Sequence, residues 1–299
     1  MRNNYPGNLR ERTTHGNAMF PCAIYNWSSP TEIEERIECH WHEEIELLLI
    51  TKGEGVLHID EKTFDVKEGC LAIITSNRLH TAFCEKGKAF DFTSIVFHPE
   101  FIDSFANDII QQKYINPLIE GNYSIPSVIQ ADEEWKRELT EKVREFIAVY
   151  EEKRTGHELI LKALLYEILF IMINNSAPMK QVPRGLDYRV GQVKEIMLYI
   201  SEKYSETISL SELSNHFHMS REHLCRIFKA ITHMSPIDYV NYYRINQGAG
   251  MLLGSDEDIG KISEKCGFYN ANYFSRMFRK YMHMSPTEYR RSQQLSDLQ

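Results

Sequence analysis

Two hundred ninety-nine residues give room for two or three domains at ~100–200 residues each. The chain is 42% apolar, 25% charged and 11% aromatic, which excludes a largely disordered or fibrous protein. Its net charge of −8 excludes a uniformly basic coat, although a local basic face remains open. The six cysteines, at 22, 39, 70, 84, 225 and 266, never fall as Cys-x-x-Cys, so no zinc ribbon or disulfide framework is expected and the thiols read as reduced. The first 20 residues hold no apolar stretch of the signal-peptide kind. The most apolar run, 159–173, contains Lys162 and Glu167 and is shorter than the ~20 residues that cross a bilayer. A cytoplasmic protein without a membrane partner is the expectation. Charge is uneven: the chain is net −9 up to Leu186 and net +2 from Asp187 to Gln293, as two modules with different partners would be.

In chain order, the first elements are strands. Segments 45–51, 55–59, 63–66, 71–75 and 90–97 are short apolar or alternating runs, punctuated by Gly53, Gly55, Asp60-Glu61, Gly69, Asn77 and Gly87. That spacing predicts a β-sandwich or barrel. Trp135, Leu139, Val143, Phe146 and Tyr150 then recur at helical period, with Asp132 placed to cap the helix. Segment 157–173 is apolar on almost every side, which predicts burial on more than one face. Pro178 and Pro183 mark a linker before the last module.

That last module contains a repeat at an offset of 50. Leu224, Arg226, Phe228 and Lys229 answer to Phe274, Arg276, Phe278 and Arg279; His233-Met-Ser-Pro236 is repeated as His283-Met-Ser-Pro286; Tyr239 answers to Tyr289. In the first copy Ser209 and Glu212 form a capping box, and His218-Met219 turns the chain. Ser220 opens a second helix whose Leu224, Ile227, Phe228 and Ile231 share one face and whose Glu222, Arg226 and Lys229 share the other. The second copy turns at Cys266-Gly267-Phe268, turns Phe274, Met277, Phe278 and Tyr281 inward, and turns Asn272, Arg276 and Arg279 outward. Ser235-Pro236 and Ser285-Pro286 begin further helices. Two short helices, the second with an inward apolar and an outward basic stripe, form a helix-turn-helix pattern. Arginine forks onto guanine, asparagine onto adenine, and lysine or arginine neutralises phosphate.

The stretch 208–290 resembles the AraC/XylS-type transcription regulators. The resemblance rests on Ile259-Gly-Lys-Ile-Ser-Glu-Lys-Cys-Gly-Phe268, Asn272-Tyr-Phe-Ser-Arg-Met-Phe-Arg279 and Ser285-Pro286-x-x-Tyr289-Arg290. It implies two helix-turn-helix units joined by a long helix, 237–253, and double-stranded DNA as partner. By position it assigns base reading to Glu222, Cys225 and Arg226, and to Ala271, Asn272, Ser275 and Arg276. Arg221, Lys229 and Arg279 complete the expected DNA-facing set. The chain departs from the family in Gly248 and Gly250, where interior glycines cost ~1 kcal/mol each and would loosen the joining helix. It departs again in His233 and His283, which replace a usual glycine at a site expected to be left-handed. The resemblance also implies RNA polymerase as a partner, homodimerisation, and activation rather than repression.

In the strand-rich module, His40 and His42 share a strand face and Glu46 has the same parity. With His80 they make a ligand set suited to a divalent transition metal. The spacing resembles the first cupin motif, although the Pro-x-Gly element expected before His80 is missing. The flanking residues 44–55 resemble the sensor domain of the same regulators, which implies a cupin-like barrel of a kind that usually binds a small effector without metal. Candidate effector contacts are Tyr25, Trp27, His40, His42, Glu46, His80 and Phe92, with Trp41 and Phe83 as further stacking surfaces. No cofactor is assigned; a divalent metal on His40, His42, Glu46 and His80 is the alternative, and a metal-dependent cupin enzyme the remote one. Cys225, beside Arg221 and Arg226, is a candidate redox thiol.

The whole reads as an α+β chain: a cupin-like effector barrel over 1–130, a helical dimerisation or relay segment over 131–177, a linker over 178–186 and an all-α double helix-turn-helix domain over 187–293. The function expected is that of a DNA-binding regulator, not an enzyme.

Overall fold

The computed structural model describes residues 15–17, 19–28, 35–37, 39–85, 87–103, 108–178 and 184–296. It divides into two compact units, one ending at Asp187 and the other beginning at Tyr188.

The first unit is built on strands β1 (Cys22–Ser28), β2 (Glu35–Arg36), β3 (Ile45–Ile59), β4 (Lys62–Lys67), β5 (Leu71–Ile74), β6 (His80–Cys84) and β7 (Phe90–Phe97). After a π-helical turn and the short helix α1 (Asn116–Ile119) come β8 (Tyr123–Ser124) and β9 (Val128–Ile129), then α2 (Glu134–Glu152), α3 (His157–Asn174) and β10 (Ala177–Pro178). Where the sequence suggested two strands broken at Gly53, there is one 15-residue strand, β3. Its first half pairs with β7 and β5, and its second half with β4 and β6. The register with β7 shifts between Ile50 and Lys52. Gly53 follows at φ 74°, where a Cβ would lie 1.8 Å from the Ala89 carbonyl oxygen. Only glycine fits there, and the strand changes partners at that point.

The doubled-over sheet has two faces. Ile45, Leu47 and Leu49 of β3 join Ile73, Ile95 and Phe97 in one core with Leu139, Val143 and Phe146 of α2 and Leu161, Leu165 and Ile168 of α3. Leu48 and Ile50 alternate to the other face and pack with Leu57, Ile59, Ala82, Cys84, Phe90 and Phe92. The apolar stripe of α2, with Trp135 and Tyr150 packed against the first of these cores, is therefore consumed within its own unit and is not open to a second copy of the chain.

One expectation for the helices is corrected. Asp132 does not cap α2: Glu133 holds the N-cap position without a side-chain bond, while Asp132 binds Lys136 Nζ at 2.9 Å. Helix α3, expected to be buried on more than one face, buries Leu161, Leu164, Leu165, Ile168, Leu169, Ile171 and Met172 but leaves Leu159, Ile160 and Phe170 77%, 50% and 67% exposed. One sheet covers one face of a helix, and α2 covers only part of the rest. Residues 179–183 of the expected linker lie outside the described residues, and helix α4 (Arg184–Lys203) already starts at Arg184.

The second unit continues with α5 (Leu210–His216), α6 (Arg221–Thr232), α7 (Pro236–Gly254), α8 (Ile259–Lys265), α9 (Ala271–Met282) and α10 (Pro286–Ser296). Its helix starts are set by side chains. Ser209 and Glu212 close the capping box of α5, Ser220 accepts from His223 N, and Asn270 accepts from Asn272 N and Tyr273 N. Ser285 and Glu288 cap α10 reciprocally. His233 and His283 end α6 and α9 at φ 57° and 58°, the left-handed sites expected. Helix α7 runs unbroken through Gly248, and the reason is packing. A Cβ at Gly248 would lie 2.9 Å from the Phe274 ring and 3.3 Å from Cys266 Sγ.

Candidate functional site

Two sites emerge, one in each unit. In the second unit the inward faces of α6 and α9 are filled: Leu224, Ile227, Phe228 and Ile231 are buried on α6, and Phe274 and Phe278 on α9. Those anchors fix which residues look outward. Arg221, Glu222, Arg226 and Lys229 are exposed on α6, with Cys225 partly covered. Ala271, Asn272, Arg276 and Arg279 are exposed on α9, with Ser275 partly covered. Arg226 lies 3.0 Å from His223 Nδ1, and the Arg276 guanidinium sits over the Tyr273 ring, 5.1 Å from its centre. Ser275, Arg276, Arg279, Lys280 and Ser285 line a shallow recess on this face.

Two further arginines brace the turns. Arg244 donates to the carbonyls of Tyr204 and Glu206 at 2.7 and 2.6 Å. Arg290 donates to those of Leu252 and Glu257 at 3.3 and 2.7 Å. Both tie the segment before a helix-turn-helix pair to the helix behind it. Gly267 makes the tight turn between α8 and α9 at φ 78°, with the Tyr204 carbonyl oxygen 2.7 Å from where a Cβ would stand. Among the described residues, none of the six cysteines forms a disulfide. Burial pushes the Cys22 and Cys266 thiols up to about 12, which removes both from thiolate chemistry.

In the first unit the structure brings His40, His42, Glu46 and His80 together, with one ligand atom from each lying within 4.8 Å of the others. Glu46 points to the same sheet face as Leu48 and Ile50, and His80 to that of Ala82 and Cys84. His40 joins through an isolated backbone bridge with His80. His42 Nε2 and His80 Nε2 both lie 3.2 Å from Glu46 Oε2, while the Ser94 hydroxyl donates to Glu46 Oε1. His42 Nδ1 donates to the Glu44 carbonyl at 3.1 Å and His80 Nδ1 to the Arg78 carbonyl at 2.9 Å. Glu46 is 3% exposed. Burial raises its carboxyl, but the contacts with His42 and His80 outweigh it and hold the group well below the usual carboxylate range.

The remaining effector candidates divide. Tyr25 and Trp27 share one parity on β1, and Trp27 packs on the same face as Phe92, stacked at 5.1 Å between ring centres. Phe83 alternates away from Ala82 and Cys84 and lines a surface recess with Glu54, Gly55 and Val56. Trp41 is buried at 4% exposure. The sequence reading missed His15 and Ser94. The His15 ring lies 5.8 Å from that of His42, and its Nδ1 meets the Tyr25 hydroxyl at 2.9 Å. Ser94 was findable by parity, two residues beyond Phe92 on the same strand face.

Comparison with known proteins agrees with both halves. A helix-turn-helix domain model matches residues 213–292, and an AraC-like ligand binding domain model matches residues 30–169. The two matches are the ligand-binding and helix-turn-helix domains of AraC-type transcription regulators, DNA-binding proteins rather than enzymes. It is 25% identical to the uncharacterized HTH-type transcriptional regulator YdeC of Bacillus subtilis (strain 168), over 95% of this chain and 96% of that one. It is 22% identical to the HTH-type transcriptional activator RhaS of Enterobacter sp. (strain 638), over 90% and 94%. Among solved structures, ToxT from Vibrio cholerae aligns over 90% of this chain and 97% of its own at 14% identity, with a TM-score of 0.45.

Proposed function

We propose that the chain is a one-component transcription activator: a small molecule held in the first unit controls DNA binding by the second. The observation that carries this reading is the duplicated outward face of α6 and α9, each with a buried apolar side holding exposed arginines in place. In it, Arg226 and Arg276 read base edges, Asn272 reads adenine, and Arg221, Lys229 and Arg279 take phosphates. Glu222, Cys225, Ala271 and Ser275 lie along the same contact line. The effector lies on the inner sheet face among Tyr25, Trp27, Phe92 and the histidine cluster. Activation, and RNA polymerase as the partner it needs, are supported by the similarity to RhaS, named as an activator.

The protein works in the cytoplasm as a homodimer. Leu159, Ile160 and Phe170 on α3, exposed in one chain, are the apolar surface that a second copy would cover. The test of the reading is DNA affinity. On a DNA selected by the wild-type protein, Arg276→Ala should weaken specific binding by ~1–3 kcal/mol and relax one base position. Unchanged specific and non-specific affinities would remove α9 from the DNA.

A further inference from the structure

We propose that His40, His42, Glu46 and His80 form a binding site for one divalent first-row transition-metal ion inside the ligand-binding unit. The argument starts from donors and acceptors. A backbone carbonyl can only accept, so the bonds to the Glu44 and Arg78 carbonyls put the ring protons of His42 and His80 on Nδ1. In a neutral ring Nε2 then carries a lone pair, and both Nε2 atoms stand 3.2 Å from Glu46 Oε2. A proton on His42 Nε2, donated to the ionised Glu46, serves one ring. It leaves the other aiming a lone pair at a carboxylate oxygen, and His80 Nε2 is indeed buried without a well-formed hydrogen bond. One cation between the three atoms serves all of them.

The surroundings fit that role. Metal-bound imidazoles characteristically donate their second ring nitrogen to a carbonyl or carboxylate, and ligating carboxylates are themselves hydrogen-bonded. Here Glu44 O, Arg78 O and Ser94 Oγ supply those partners. Size fits too. In a tetrahedral set at ~2.0–2.2 Å from one ion, ligand atoms stand about 3.4 Å apart, and the four atoms here already lie within 4.8 Å of one another. Three imidazole nitrogens and one carboxylate oxygen select zinc, iron, manganese, cobalt, nickel or copper, and they disfavour calcium and magnesium, which take oxygen ligands.

The experiment uses the full chain, stripped with a chelator and dialysed. Uptake of Zn²⁺, Mn²⁺, Ni²⁺ and Fe²⁺ is read by elemental analysis and calorimetric titration, with Mg²⁺ and Ca²⁺ as controls. The expected result is uptake of about one transition ion per chain. Glu46→Gln and His40→Ala/His42→Ala should lose it. Ser94→Ala, which keeps every ligand, should weaken it ~10–100-fold as an outer partner. Circular dichroism and the thermal midpoint in chelator show whether each variant folds; if the double variant does not, Glu46→Gln and Ser94→Ala decide. No uptake by the wild type, uptake of Mg²⁺ or Ca²⁺ in preference, or equal uptake by folded Glu46→Gln would each overturn the proposal. DNA binding is measured on the same samples. No metal uptake by the wild type with intact DNA binding counts against this site alone, and no DNA binding by a wild type that takes up metal counts against the proposed function alone.

Discussion

At Gly248 two effects of opposite sign compete. Alanine in place of an interior helical glycine gains ~1 kcal/mol of helix propensity. The added methyl would sit 2.9 Å from the Phe274 ring, and overpacking a filled core costs ~1–3 kcal/mol. Packing wins, so Gly248→Ala should lower stability, read as a lower denaturant midpoint at unchanged slope; a raised midpoint would show that Phe274 yields freely. The sequence reading took this glycine for a loosening of the joining helix, because propensity is legible in a sequence and a ring packed from 26 residues away is not. At His233 and His283 the reading succeeded for a local reason: the left-handed C-cap is set by the helix end itself. The outward residues were equally legible, since apolar anchors at 3.6-residue spacing fix the opposite face without tertiary information.

At the scale of elements, caps and faces decide. Ser285 Oγ accepts from Glu288 N at 3.3 Å, so Ser285→Ala should cost ~1 kcal/mol of stability; no change in the unfolding midpoint would mean that Pro286 alone starts α10. At the start of α7 the Ser235 hydroxyl lowers the Asp238 carboxyl, burial opposes it, and Lys280 of α9 adds to the lowering. A depressed folded value stabilises above the ordinary 3.8 and is lost as the pH falls through the folded value. Asp238→Asn should therefore flatten the stability profile between the ordinary 3.8 and the lower folded value. An identical profile would deny the α7–α9 link. Helix α3 carries the dimer prediction. Phe170→Glu should shift the sedimenting mass to that of one chain at low micromolar concentration, and an unchanged dimer would place its interface elsewhere. The expected dimerisation or relay segment, 131–177, contains both α2 and α3, and the clean amphipathic stripe of α2 is filled by the sheet of its own unit. Periodicity shows that a face is apolar but not what covers it. The histidine cluster was legible for a similar reason of spacing: alternation along strands put His40, His42 and Glu46 on one side. Ser94 was legible by the same alternation on β7, whereas the Glu44 and Arg78 carbonyls that orient the rings lie outside the strands, where alternation says nothing.

For the whole molecule, charge and chemistry separate along the chain. The acidic first unit holds a buried polar cluster, and the mildly basic second unit holds the exposed arginines. A ligand of the first unit can change DNA binding only by favouring one arrangement of the chain over another, and only by its difference in affinity between them. Before that coupling is studied, the DNA reading itself has to be mapped to its helices. The most direct measurement is selection from a random DNA library by the wild type, Arg226→Ala and Arg276→Ala in parallel. The account predicts a wild-type motif of two segments centred about 10–10.5 base pairs apart, with Arg226→Ala erasing preference in one segment and Arg276→Ala in the other. A wild-type library without an enriched motif, or two variants that erase the same bases, would contradict it.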